Sequence, residues 1–152
     1  MATRDDPFDL ERFVAAQAQV WDDVAAELGA AAKSSHWMWF VFPQWRGLGR
    51  SGIAQRYGIA SAAEALAYWR HPVLGPRLAQ CLAWLDAAPA SRSAEAILGG
   101  IDALKLRSSL TLFEAVLPAA EREPFAHLLE RFHRGVRDPL TLAWLARPRD
   151  SA

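Results

Sequence analysis

One stretch of the chain sets polar side chains among aromatic ones. Residues 35–45 read SHWMWFVFPQW and place His36 and Gln44 among five of the sixteen Trp, Tyr and Phe residues. Histidine can act as an acid or a base near neutral pH, and a glutamine amide both donates and accepts hydrogen bonds. Apolar walls with a few convergent polar groups are typical of small-molecule sites, but aromatic residues also fill cores. The stretch is therefore either the wall of a binding site or a part of the core.

A glycine-rich turn follows directly. Residues 47–52, GLGRSG, match the G-x-G-x-x-G fingerprint of dinucleotide-binding folds. That fingerprint requires a preceding strand in a strand–helix–strand unit, which the sequence does not show, so a Rossmann-type site is not expected. The turn can still hold an anion, because Ser51 can start a short helix whose amides lie beside Arg46 and Arg50. The alternative is a tight turn that needs glycine for its backbone conformation.

Three polar residues from other stretches are candidates for the same site. Gln17 occupies an inward-facing position in the apolar stripe of the first predicted helix. Arg77 can contact an anion or an internal carboxylate. Lys105 and Ser109 are four residues apart and share a helical face. A serine nucleophile there would need a desolvated lysine and an oxyanion hole, so Lys105 as a contact of the candidate pocket is the simpler alternative.

Composition argues against several other kinds of function. The four histidines form no close pair and the single cysteine, Cys81, cannot build a zinc site or an internal disulfide, so we expect no metal and no cofactor. Seventeen basic residues balance seventeen acidic ones, so no overall field attracts nucleic acid or anionic lipid. The N-terminus has no apolar signal core, and no run is long enough for a membrane span. We expect a soluble cytoplasmic protein that binds neither nucleic acid nor membranes.

Helices must position these residues. Apolar side chains recur at three- and four-residue spacing after a series of capping residues. The predicted starts are at Asp6–Pro7, Ser51, Ser61, Pro72 with His71 as the cap, Ser93, Asp102, Pro124 and Asp138–Pro139. Only residues 37–42 alternate in a way that suits a strand as well as a helix. The sequence predicts an all-α, small single-domain orthogonal helical bundle over residues 1–152, with a core from about 6 to 146 and frayed ends at 1–5 and 147–152.

Several separate stretches together resemble one bacterial family, the domain-of-unknown-function 1810 family, from about residue 6 to residue 145. The stretches are DPFDLERFVAAQ (6–17), SHWMWFVFPQ (35–44), GLGRS (47–51), HPVLGPRL (71–78) and KLRSSLTLF (105–113). The resemblance implies a small all-α fold and no established activity. Members often bear the label calpastatin, but calpastatin-type inhibitors are disordered and charge-rich, whereas this chain has 52% apolar and 22% charged residues.

Two functions are consistent with these residues. The one we favour is a binding site for an anionic, ring-containing metabolite, lined by the aromatic segment 36–45 and the glycine turn 47–52. Its acid–base residue, if a reaction occurs there, is His36. The predicted ligand contacts are Gln17, Trp37, Trp39, Gln44, Arg46, Arg50, Ser51, Arg77 and Lys105. The alternative is a protein-interaction module that exposes tryptophan and arginine. Its candidate anchors are Trp21, Trp45, Trp69, Trp84 and Trp144.

Overall fold

The structure is a computed structural model that describes residues 2–147, and within this range it contains nine α-helices and no strand. They are α1 (Glu11–Gly29), α2 (Met38–Val41), α3 (Gly52–Tyr57), α4 (Ala62–Arg70), α5 (Leu74–Ala87), α6 (Ala94–Leu98), α7 (Gly100–Val116), α8 (Glu123–His133) and α9 (Pro139–Ala146), with 3-10 turns at Arg46–Leu48 and Ala119–Glu121. The predicted all-α fold with a single helical domain is confirmed. Residue 1 and residues 148–152, predicted to be frayed, lie outside the described residues.

Helix α7 lies at the centre of the bundle. It packs against α4, α6, α8 and α9, while α1 packs against α5 and α2. Its apolar side chains are buried, among them Leu106, Leu110 and Phe113, and the Phe113 ring stacks on Phe125 of α8 with centroids 5.7 Å apart. Burial of one such side chain contributes about 1.5–3 kcal/mol. Helix α7 is therefore held on several sides and provides a rigid frame for residues on its exposed flanks.

Four of the nine described helices start directly after a capping residue that the sequence indicated. Four predicted caps accept a hydrogen bond from the backbone amide three residues later: Ser51, Ser61, Ser93 and Asp138. His71 acts as a cap as predicted, because its Nδ1 accepts from the amides of Val73 and Leu74 at 3.0 and 3.2 Å. The helix itself, α5, begins at Leu74 and not at Pro72. Each cap satisfies an amide that has no partner inside its helix.

The first helix starts later than the sequence suggested. Helix α1 begins at Glu11 rather than at Pro7, because residues 7–9 form a turn in which Asp9 has a left-handed φ of 52°. The predicted cap, Asp6, still serves the helix from a distance. Its carboxylate accepts from the amides of Leu10 and Glu11 at 2.8 and 3.0 Å.

The aromatic segment forms the short helix α2, which resolves the ambiguity between strand and helix. Its buried residues are Trp37, Met38, Phe40, Val41 and Phe42. Most of the segment is therefore core. His36 is exposed and Trp39 is half-buried, so these two side chains remain available at the surface.

The chain between Gln44 and Ile59 leaves the bundle and returns to it. The Arg46 amide donates to the Ile59 carbonyl at 3.0 Å, and the Ile59 amide donates to the Gln44 carbonyl at 2.9 Å. The Trp45 ring stacks on Trp144 of α9 with centroids 4.9 Å apart. The loop that carries the glycine turn and α3 is thus fastened at its base.

The single cysteine lies inside the bundle. Cys81, on α5, has no exposed surface. Burial raises the pKa of its thiol, because the thiolate would lose its hydration. The thiol is therefore protonated and shielded at neutral pH.

Candidate functional site

Gln17 lies in the core, where it holds the aromatic segment in place. It is 1% exposed, and its Nε2 donates to the Phe40 carbonyl at 2.6 Å and to the Tyr68 hydroxyl oxygen at 2.8 Å. Its Oε1 accepts from Arg77 Nη1 at 3.4 Å. Burial raises the pKa of Tyr68, so its hydroxyl keeps its proton. All these groups have internal partners, and Gln17 faces no opening of the structure.

Trp37 is also buried, and it belongs to a cluster that the sequence did not reveal. We call Glu27, Ser34, Ser35 and Trp37 the Glu27 cluster. Glu27 is 9% exposed, and its carboxylate accepts from the amides of Ser34 and Ser35 at 2.7 and 2.8 Å, from the Ser35 hydroxyl at 2.5 Å and from Trp37 Nε1 at 3.1 Å. Burial tends to raise the pKa of Glu27, but these hydrogen bonds outweigh it and lower the pKa to about 2. The cluster fixes the backbone on both sides of His36.

His36, Trp39 and Lys105 meet at one open cleft, although they come from separate stretches of the chain. The cleft has a volume of about 400 Å³ and runs between the start of the aromatic segment and the junction of α6 and α7. We call it the His36 cleft. The Lys105 ammonium lies 4.3 Å from the centroid of the Trp39 ring, and Ile101 forms part of the wall. Ile101 is 75% exposed.

The floor of the His36 cleft is the first turn of α7. This helix begins at Gly100, not after Asp102 as predicted, and its cap, Gly99, supplies no side-chain acceptor. Gly99 has a φ of 90°, a conformation that strongly favours glycine. The amides of a first helical turn have no intrahelical partner, and the positive end of the helix dipole lies there.

The charges beside the cleft are partly balanced internally. Lys33 Nζ lies 2.8 Å from Asp102 Oδ2 and donates to the Ser35 carbonyl at 2.5 Å. Lys105 Nζ is 3.6 Å from Asp102 Oδ1. One carboxylate therefore faces two ammonium groups, and one positive charge remains in excess at this edge of the cleft.

Gln44 lies at a neighbouring crevice rather than in the His36 cleft. The crevice is lined by Gln44 with Trp39 and Lys105 on one side and Tyr57 and Gly58 on the other. Its volume is only about 10 Å³, which is no larger than one water-sized probe. The aromatic segment and the loop of the glycine turn are thus packed together and do not enclose a ligand-sized space.

The basic residues of the glycine turn lie away from the His36 cleft. Arg46 and Arg50 are exposed, and Arg46 lines a groove formed with the N-terminal turn of the chain. Ser51 caps α3. Arg77 lies elsewhere again, with its guanidinium 5.2 Å from the centroid of the Trp21 ring. The structure therefore brings three of the predicted site residues together at the His36 cleft, places Gln44 at the adjoining crevice and leaves the others elsewhere.

The tryptophans that were candidate interaction anchors are packed rather than exposed. Trp144 is 5% exposed, and Trp21, Trp45, Trp69 and Trp84 are half-buried. The exposed large apolar side chains of the described residues are all aliphatic. No specific tryptophan patch supports the interaction-module hypothesis.

Among residues 2–147, no group of three or more His, Cys, Asp and Glu side chains is arranged to hold a metal ion. None of the described helices combines the length and the apolar character needed to cross a membrane.

The fold and the cleft define a small, single-domain, all-α protein with an open cleft of mixed aromatic and basic character. Residues 7–145 match the family described as Protein of unknown function (DUF1810), and the chain belongs to that family. The resemblance seen in the sequence is confirmed. A crystal structure of the conserved hypothetical protein Rv1873 from Mycobacterium tuberculosis is similar, with 50% sequence identity and a TM-score of 0.90. The match covers 94% of this chain and 100% of that one. No curated protein matches the chain.

Proposed function

We propose that this protein binds a small anionic molecule that carries a ring, and that the His36 cleft is the site. The observation that carries the proposal is the meeting of His36, Trp39 and Lys105 around an opening of about 400 Å³. This volume lies within the range of about 300–1,000 Å³ that is usual for small-molecule sites.

The parts of the cleft suit the two parts of such a ligand. The amides at the start of α7 and the Lys105 ammonium favour a carboxylate or phosphate group at the cleft floor. The half-buried Trp39 offers an aromatic surface beside them. His36 is exposed at the rim, and it is the acid–base residue if the ligand reacts there.

This site differs from the one expected from the sequence. The glycine turn 47–52 does not line the cleft, and Gln17 and Trp37 support it from the core. Glu27 and Lys33 are positioning residues, because they hold the backbone and the neighbouring Asp102 rather than facing the ligand.

A thermal-shift screen against carboxylated and phosphorylated ring-containing metabolites tests the proposal. A ligand that binds only the native state stabilises it by about 2.7 kcal/mol at a hundred times its dissociation constant. We expect a saturable rise in Tm for the wild type that Lys105→Ala abolishes and His36→Ala reduces.

Arg50→Ala is the matched control, because Arg50 is exposed and the substitution removes the same charge from the glycine turn. It must leave the shift unchanged. A rise in Tm that persists in Lys105→Ala and His36→Ala would contradict the proposal. A rise that is lost only in Arg50→Ala would indicate that the ligand binds at the glycine turn.

A further inference from the structure

A second cleft lies on another face of α7 and has a different chemical character. It is bounded by the loop before α6, by α6 itself, by α7 and by the end of α8, and its volume is about 520 Å³. Its charged and titratable side chains are Arg92, Arg107, Arg131, Arg134, His133 and Glu95. We call it the arginine cleft. Four guanidinium groups and one carboxylate give it an excess of positive charge, although the chain as a whole has a formal net charge of zero.

Two of the arginines form fixed walls of this cleft. Arg131 donates to the carbonyls of Asp86 and Ala88 at 2.5 and 2.6 Å, at the end of α5. Arg92 Nη2 donates to the Ala31 carbonyl at 2.7 Å. Backbone oxygens hold both guanidinium groups in place without neutralising them, but Arg131 Nη1 also lies 3.5 Å from the Asp86 carboxylate. Arg92 therefore supplies a fixed positive charge, and the charge of Arg131 is partly compensated.

The other side of the cleft contains polar atoms that the protein itself does not satisfy. Among the described residues, Arg107 Nε and His133 Nε2 are the buried side-chain nitrogens without a hydrogen-bond partner. Arg107 Nη2 is 3.7 Å from Asp138 Oδ1, so its charge is only loosely paired. Arg134 is exposed at the same opening. Nearly all buried polar groups in folded proteins find a partner, so the polar groups of Arg107 and His133 beside this cleft are less completely paired inside the protein than is usual.

We propose that the arginine cleft binds the phosphate group of a small phosphorylated molecule. Its oxygens would accept hydrogen bonds from the guanidinium groups of Arg107, which is half-buried at the cleft, and of Arg134, which is exposed on its open side. Arginine favours such an anion because its planar group presents several donors to tetrahedral oxygens. The site is separate from the His36 cleft, because Arg107 and Lys105 lie two positions apart on α7 and point in different directions.

Binding should be coupled to protonation of His133. Burial lowers the pKa of His133, Arg107 lowers it further, and Glu95 acts in the opposite direction. Arg92, Arg131 and Arg134 line the same cleft and also disfavour the imidazolium. A phosphate would offset these charges and favour the protonated form, so His133 should take up a proton when the anion binds.

Isothermal titration calorimetry of the full chain with pyrophosphate tests the site. We expect saturable binding that Arg107→Gln and Arg134→Gln each weaken about tenfold or more. Arg134 is exposed, so its variant keeps the test valid even when Arg107→Gln folds poorly. Arg70→Gln is the matched control, because Arg70 is exposed on α4 and pairs with Glu121. Arg70→Gln must bind pyrophosphate as the wild type does.

The imidazole signal of His133 provides an independent readout. Assigned with a His133→Gln variant, its NMR titration should show a higher pKa in the presence of pyrophosphate than in its absence. Absence of pyrophosphate binding at millimolar concentration would overturn the proposal. So would wild-type affinity in both arginine variants, an unchanged His133 titration, or citrate binding as tightly as pyrophosphate.

Discussion

The Glu27 cluster and the arginine cleft differ in how completely their buried polar groups are paired. In the Glu27 cluster one carboxylate accepts from four donors, and every donor belongs to the same short stretch of chain. In the arginine cleft four cations face one carboxylate, and two buried nitrogens have no partner. Complete internal pairing is typical of residues that hold a fold. Incomplete pairing is a cost to stability that a ligand can remove.

The largest effect that this comparison predicts is the loss of the Glu27 carboxylate. Glu27→Ala leaves the amides of Ser34 and Ser35 and the Trp37 Nε1 without their acceptor. Because unsatisfied buried donors are costly, we expect the free energy of unfolding to fall by about 2–4 kcal/mol in urea denaturation. Asp23→Ala is the control, since it removes the same charge from an exposed position of the same helix. A loss below about 1 kcal/mol would place Glu27 among ordinary surface carboxylates.

Acid should weaken the same cluster. Hydrogen bonds to its carboxylate outweigh the effect of burial and lower the pKa of Glu27 from its usual 4.5 to about 2 in the folded protein. A lowered pKa contributes stability above the unfolded value and loses it as the pH falls through the folded one. Between pH 5 and pH 2 the wild type should therefore lose more stability than Glu27→Gln, and denaturation at stepped pH measures the difference. Parallel curves for the two proteins would contradict a buried, hydrogen-bonded carboxylate.

The Gln17 network should show measurable coupling of an intermediate size. Gln17 and Tyr68 share the Phe40 carbonyl as an acceptor and hydrogen-bond to each other. A double-mutant cycle with Gln17→Leu and Tyr68→Phe should therefore give a coupling energy of about 1 kcal/mol. Additive effects on the free energy of unfolding would mean that the two side chains act independently.

The smallest predicted effect has the opposite sign and belongs to the arginine cleft. Arg134 follows α8 with a left-handed φ of 54°, a position where glycine is the usual residue. Arg134→Gly should relieve this strain and raise the free energy of unfolding by about 0.5 kcal/mol. The same variant should bind pyrophosphate more weakly. A gain in stability without loss of binding would remove Arg134 from the proposed site.

The sequence predicted much of the fold because its signals are local. Caps such as Ser51 and Asp138 act on an amide three residues away, so a short window of sequence contains the whole interaction. The start of α1 escaped prediction because it depends on the backbone turn at Asp9. Gln17 was visible as a polar residue in an apolar stripe, but its partners are 23 and 51 residues away.

Little of either cleft could be predicted, because each combines distant parts of the chain. Glu27 lies on the inward side of α1, one residue before Leu28, and this position was the sign in the sequence that its side chain is buried. Arg107 and His133 lie 26 positions apart and read as ordinary solvated residues of two separate helices. Only the packing of α7 against α8 places them at the same opening.

Because Cys81 is buried, the rate at which a thiol reagent modifies it reports how the folded protein opens. A thiol-reactive reagent cannot reach this side chain while α5 remains packed, so modification must wait for a large opening of the bundle. With a fast reagent in excess, the labelling rate equals the opening rate; with a slow one, it reports the population of the open state. Because Cys81 is the single cysteine, the signal has one origin and no engineered label is required.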